Sequence, residues 1–182
     1  MKEVIFYGRG GQGAVIASRI LAVAAFKEGR HVQAFPFFGV ERRGAPVTAY
    51  TRIDDFKIRK RGPVTKGDYI VILDPTLLDM SEIVKHAKRD ASVIINTNKE
   101  IKGSVSSGDV KVIAFDASMI AVNNSLGSQN APIVNTTMLG VFSKITGEVA
   151  IDSVIDAISE NISVKKDSNI NAAREAYEKA KK

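Results

Sequence analysis

The sequence holds no cysteine and no tryptophan, and histidine occurs only twice, at His31 and His86. The first absence removes disulfides, thiolate zinc sites, cysteine nucleophiles and cysteine-held iron–sulfur clusters from this chain. Two histidines alone are a poor basis for a self-contained metal centre. No apolar run reaches the roughly 18 residues needed to span a bilayer. The N-terminus opens as a strand, without a basic region leading into an apolar stretch, so no signal peptide is read there. These absences lead to the expectation of a soluble, cytoplasmic chain with no membrane partner.

What is present is ordinary for a globular protein: 182 residues, 45% hydrophobic and 25% charged. That length predicts a single domain over residues 1–182 with a core of its own. The formal charge of +6 is unevenly placed. Arg42, Arg43, Arg52, Lys57, Arg59, Lys60, Arg61 and Lys66 face only Asp54 and Asp55 within the same stretch, so 8 − 2 = +6 and the rest of the chain is balanced. A basic excess in one segment suits an anion or an acidic partner. The plainer alternative is a solvated hairpin whose cations protect an edge strand. Aromatics are too few there for a stacking platform, so no nucleic-acid partner is expected.

Val4–Tyr7 is a short apolar run ending at Gly8, which reads as a buried strand. Ile16, Ile20, Val23 and Ala24 recur at helical spacing, with Gly29 as the stop. His31–Phe35 then gives a second strand, completing a βαβ unit. After a loop from Pro36 to Pro46, the period-two run Val47–Ile53 and the segment Phe56–Arg59 predict a β-hairpin across Asp54-Asp55. Strands follow at Tyr69–Leu73, Ser92–Asn96 and Val110–Phe115. A helix is expected from Asp74-Pro75 to about Lys88, with Asp74 as N-cap, and Asp116 is expected to cap a short one. Further helices are predicted over about Pro132–Lys144, Ile151–Asn161 and Asn169–Lys181. The expected fold is α/β: a doubly wound, mostly parallel, Rossmann-like sheet with an inserted antiparallel hairpin.

The chemistry-bearing motif is GRGGQG, from Gly8 to Gly13, placed between the first strand and the first helix. A loop in that position gathers backbone N–H groups and a helix N-terminus at one point, where phosphates settle. Gly8 would allow the tight turn, Gly10 a close approach to phosphate, and Gly13 close packing of helix on sheet. An NAD site also asks for an acid about 20 residues on, at the end of the second strand. HVQAFPFFG supplies none, and Glu41 sits in a loop beside two arginines. Arginine there would suit a 2′-phosphate, so a free-standing NADP-dependent oxidoreductase stays open, as does a ligand-free tight turn.

GRGGQGAV, followed at this distance by FPFFGVERRGAPVTAYTRI, resembles the gamma subunit of the 2-oxoacid:ferredoxin oxidoreductases. The resemblance runs through the Asp74-Pro75 junction to PIVNTTMLGVF, and the FFGVERRGAPV wording favours pyruvate over 2-oxoisovalerate. It implies oxidative decarboxylation of a 2-oxoacid, electron delivery to ferredoxin and acyl transfer to coenzyme A. It implies alpha, beta and delta partner subunits, with thiamine diphosphate, Mg2+ and iron–sulfur clusters on those chains. It assigns this chain no catalytic residue, but a part in coenzyme A binding and in assembly. Residue by residue, the carry-over is Gly8, Arg9, Gly10, Gly11, Gln12 and Gly13 from the first motif, and Arg42, Arg43 and Gly44 from the second. Arg42 and Arg43 would fork onto phosphate, or alternatively pair with an acidic patch on a partner chain. A purely architectural subunit, its glycine loop packed against a partner, is a further alternative. Left open are whether the apolar helix from Ile133 to Phe142 is core or interface, and whether Phe35, Phe37 and Phe38 cover the sheet or a partner.

Overall fold

The computed structural model describes residues 1–37, 44–77, 80–99 and 110–181. Among them, six strands form one sheet in the order β2-β3-β1-β4-β5-β6. These are β1 Lys2–Arg9, β2 His31–Phe37, β3 Pro46–Asp54, β4 Gly67–Ile72, β5 Ala87–Asn96 and β6 Lys111–Phe115. β1, β4, β5 and β6 run parallel, and β3 is antiparallel to both β1 and β2. The mostly parallel α/β architecture read from the sequence is therefore present.

The antiparallel element is real, but its partners differ from those expected. β3 pairs with β2 and separates it from β1, so the first two predicted strands are not neighbours. Phe56–Arg59 is not a strand, and Phe56 is 79% exposed. The physical reason lies in Arg52, a charged side chain on β3 with no solvent exposure. Its guanidinium donates to the carbonyls of Lys60, Gly62 and Pro63 and to Gln33, while its Nε bonds Glu3 at 3.0 Å. The carbonyls of the following segment are thus spent on satisfying a buried cation instead of a ladder. Arg52 and Lys60, counted above in a basic surface stretch, are in fact ion-paired to Glu3.

The helices are α1 Ala14–Lys27, α2 Met80–Lys85, α3 Ala117–Asn123, α4 Asn135–Thr146, α5 Ile151–Asn161 and α6 Lys166–Lys179. Two corrections concern their starts. Asp74-Pro75 opens a turn and not a helix; α2 is short and β5 already begins at Ala87. Ala131–Pro132 pairs with Gly127–Ser128 as a small hairpin (β7 and β8), so α4 begins at Asn135. Asp116 does cap α3, accepting from the Met119 N–H at 3.0 Å.

The winding is lopsided. α1 and α3–α6 build one core against Val4, Phe6, Ala49, Val71 and Ile94, while Ile5, Ile70, Ile72, Val93 and Ile95 on the other face meet α2, Val64 and Tyr50. α4 belongs to the core: Asn135 through Ser143 are all buried within this chain. It crosses α6 so closely that a Cβ on Gly140 would lie 2.0 Å from the Ala173 carbonyl oxygen. Small residues Ala172, Ala173 and Ala176 permit that approach. Phe35 stacks obliquely on Tyr50, whereas Phe37 is 56% exposed; Phe38 lies outside the described residues.

Candidate functional site

The glycine loop runs from the end of β1 to the start of α1. Its turn is closed from within: the Arg9 N–H donates to Gln12 Oε1 at 2.7 Å, and the Gln12 N–H donates to the Arg9 carbonyl at 2.9 Å. Gly10 donates to the Ala45 carbonyl and accepts from the Gly44 N–H, extending the β1–β3 pairing by one step. Gly44 is therefore brought to the loop. Arg42 and Arg43 lie outside the described residues.

Arg9 does not stand free. Its Nε pairs with Asp74 at 3.0 Å, one terminal nitrogen donates to the Gly44 carbonyl, and the other donates to the Thr76 hydroxyl. Gln12 Nε2 reaches the same Asp74 oxygen at 2.9 Å. Burial pushes the Asp74 carboxyl up, but hydrogen bonds from Thr76 and Gln12 and the charge of Arg9 more than offset it, leaving it below its ordinary value. Asp74 thus ties the first βα junction to the second. Residue type and place were visible in the sequence; its partner 65 positions upstream was not.

Gly13 shows the strictest requirement. It has φ +83°, and a Cβ there would sit 2.3 Å from Asn135 Nδ2. The first helix therefore starts against the first residue of α4, instead of packing tightly on the sheet at that glycine. Two helix N-termini meet at one point. Neither has a side-chain cap, with Gly13 and Val134 in the N-cap positions, and neither carries an acid in its first turn. The N–H groups of Gly13, Ala14 and Val15 have no acceptor among the described residues. Asn135 is only 3% exposed; its Oδ1 accepts from the Thr136 N–H, and its Nδ2 has no acceptor among the described residues. Unpaired donors and two helix N-termini make this a place for negative charge. The only sequence signal is that Asn135-Thr136-Thr137 places three polar residues at the head of an otherwise apolar helix.

The family description "Pyruvate ferredoxin/flavodoxin oxidoreductase" matches residues 3–179. The chain belongs to that family. It is 51% identical over 183 residues to "Pyruvate synthase subunit PorC" of Methanothermobacter thermautotrophicus, an alignment covering 100% of this chain and 97% of that one. It is 50% identical to "Pyruvate/ketoisovalerate oxidoreductases common subunit gamma" of Pyrococcus furiosus, covering 98% and 97%. Among solved structures it superimposes on pyruvate oxidoreductase subunit PORC of Thermotoga maritima with TM-score 0.81 at 34% identity, covering 98% and 97%. The chain is thus the gamma subunit of a multi-subunit 2-oxoacid:ferredoxin oxidoreductase. Family membership moves the glycine loop away from the free-standing NADP-dependent reading. Among the described residues, no helix of this gamma subunit is long and apolar enough to cross a membrane.

Proposed function

We propose that this subunit binds coenzyme A in a pyruvate:ferredoxin oxidoreductase, where the complex converts a 2-oxoacid, coenzyme A and oxidised ferredoxin into acyl-CoA, carbon dioxide and reduced ferredoxin. The observation that carries the reading is the meeting of the two uncapped helix N-termini at Gly13 and Asn135. A phosphate of coenzyme A placed there accepts from the Gly13, Ala14 and Val15 N–H groups and from Asn135 Nδ2. Gly11, with φ +101° and no atom within 4 Å of a would-be Cβ, leaves the tip of the loop open to the ligand. Each helix end contributes on the order of 0.3–1 kcal/mol toward an anion, and more where water is excluded. Arg9, Gln12 and Asp74 hold the loop in shape, Gly44 lies at its edge, and Arg42 and Arg43 are proposed to take a second phosphate.

The chemistry at the keto carbon belongs to other chains of the complex: alpha, beta and delta subunits carrying thiamine diphosphate, Mg2+ and iron–sulfur clusters, with ferredoxin as electron acceptor. The absence of cysteine from this sequence supports that division, since no thiolate is available here to hold a cluster. Anchoring the nucleotide end leaves the coenzyme A thiol free to extend toward those chains. We place the complex in the cytoplasm. The Pyrococcus relative's name joins pyruvate with ketoisovalerate, which favours a second reading in which this gamma subunit also serves a 2-oxoisovalerate enzyme.

Asn135→Asp in the assembled complex is the test. An aspartate keeps the acceptor for the Thr136 N–H and suits a helix N-terminus, so the fold is retained, but it sets a carboxylate where phosphate would lie. The expected result is at least about a tenfold rise in KM for coenzyme A, with kcat and the KM for pyruvate unchanged. An unchanged coenzyme A KM would contradict the proposed site.

A further inference from the structure

An open groove of about 580 Å³ runs along the outer side of α1, past the β7–β8 hairpin and the turn between α5 and α6. Its walls gather three of the large apolar side chains this chain leaves in water: Ile16 at 48% exposure, Ile133 at 39% and Val164 at 73%. Among the described residues no Asp or Glu lines it, while Arg19 and Lys165 do. Arg19 makes no hydrogen bond or ion pair to any described residue, and Lys165 Nζ donates only to the Ser125 carbonyl. Neither cation is matched by a carboxylate among the described residues. Less exposed cations such as Arg9, Arg52 and Lys88 do have acidic partners.

We infer that this groove is the seat of an aliphatic, carboxylate-bearing segment of another subunit of the complex. An apolar strip rimmed by polar groups is the ordinary make-up of a protein–protein contact. The degree of exposure also favours a macromolecule: side chains as open as Val164 stand at the rim, where a small ligand would leave them wet and a protein surface would cover them. Unpaired cations select an acidic complement and reject a basic one. The inference rests on membership of a multi-subunit enzyme and not on the coenzyme A site, although Asn135 borders both.

The test uses the co-expressed complex with a photo-crosslinking amino acid replacing Val164, the most exposed of the three apolar wall residues. The expected adduct joins this chain to another subunit, at a peptide of aliphatic residues containing Asp or Glu. In parallel, Arg19→Glu with Lys165→Glu should lower retention of this chain in the purified complex by about tenfold or more. Reversing the charge of the cross-linked partner carboxylate should then restore it. No adduct, an adduct to a second copy of this chain, or an adduct to a peptide without an acid would overturn the inference. So would undiminished retention of the double variant. The cross-link and the retention of the chain are both read without coenzyme A, so failure here is distinguishable from failure of the coenzyme A proposal.

Discussion

The two ends of β1 each carry an acid and a guanidinium, and they use them oppositely. At the start, Glu3 is 3% exposed and receives Arg52, Lys60 and Lys88 at 3.0–3.2 Å, so one carboxylate is wrapped by three cations. At the end, Arg9 meets one carboxylate, Asp74, in a half-open loop whose neighbouring N–H groups are unspent. A buried charge must be fully matched or it destabilises the fold, which makes the first end structural. The second end needs only enough pairing to hold a shape, and its neighbouring donors stay unpaired among the described residues, as the proposed coenzyme A site requires. Charge density alone does not mark a site; unspent donors around a held backbone do.

That contrast is broken most directly at Glu3. Glu3→Gln leaves Arg52 buried without a carboxylate, and denaturant unfolding should show a loss of about 3–5 kcal/mol. A loss under about 1 kcal/mol would mean that the backbone carbonyls around Arg52 suffice. The acid limb of the stability curve follows from the same residue. Burial raises the Glu3 carboxyl, but hydrogen bonds from Lys60, Arg52 and Lys88 outweigh it, leaving it below its usual 4.5. Its stabilisation is therefore complete above about pH 4.5 and is lost as pH falls through the lower folded value. The Gln variant should flatten that limb.

Gly13→Ala should come next. Left-handed backbone costs an L-residue roughly 1–2 kcal/mol, before the contact with Asn135 Nδ2 is added. The complex carrying it should show a coenzyme A KM raised about tenfold or more, read by viologen-coupled pyruvate oxidation. Adding Asn135→Ala should recover the part of the stability lost to contact while leaving KM high. Recovery of both would make Gly13 a packing glycine only.

Asp74→Asn sharpens the other half of the comparison. As a partly exposed pair, Arg9–Asp74 should contribute less than about 1 kcal/mol, so thermal unfolding should move little. The unneutralised Arg9 should lower the coenzyme A KM at low salt, an effect that fades above about 0.15 M. The smallest expected difference lies on α4. Thr136 donates to Asn169 Oδ1 at 2.8 Å, whereas the buried Thr137 hydroxyl finds no partner among the described residues. Thr136→Val should cost about 1 kcal/mol, and Thr137→Val should fall within about 0.5 kcal/mol of zero or be mildly stabilising.

Much of this was legible in the amino-acid order, because the periodicities are strong. The apolar run Tyr69–Leu73, the α5 span Ile151–Asn161 and the strand–glycine–helix junction at Gly8–Gly13 all appear where the patterns put them. Two of the errors trace to side-chain bonding that periodicity does not register. Phe56–Arg59 looks like a strand until Arg52 takes the carbonyls that follow it. Asp74-Pro75 looks like a helix start until Arg9, Gln12 and Thr76 occupy the carboxylate. Asn135 is the clearest case. Nothing local distinguishes it from a polar residue in an apolar helix, and its meaning depends on Gly13, 122 positions earlier, arriving at its amide.

The most direct measurement of the central claim is amide hydrogen exchange on the intact complex, with and without coenzyme A. The account predicts slowed exchange at residues 11–16 and 134–137, with no comparable change at Glu3 or around Arg52. Coenzyme A binding that leaves the Gly13–Asn135 junction unprotected would contradict it.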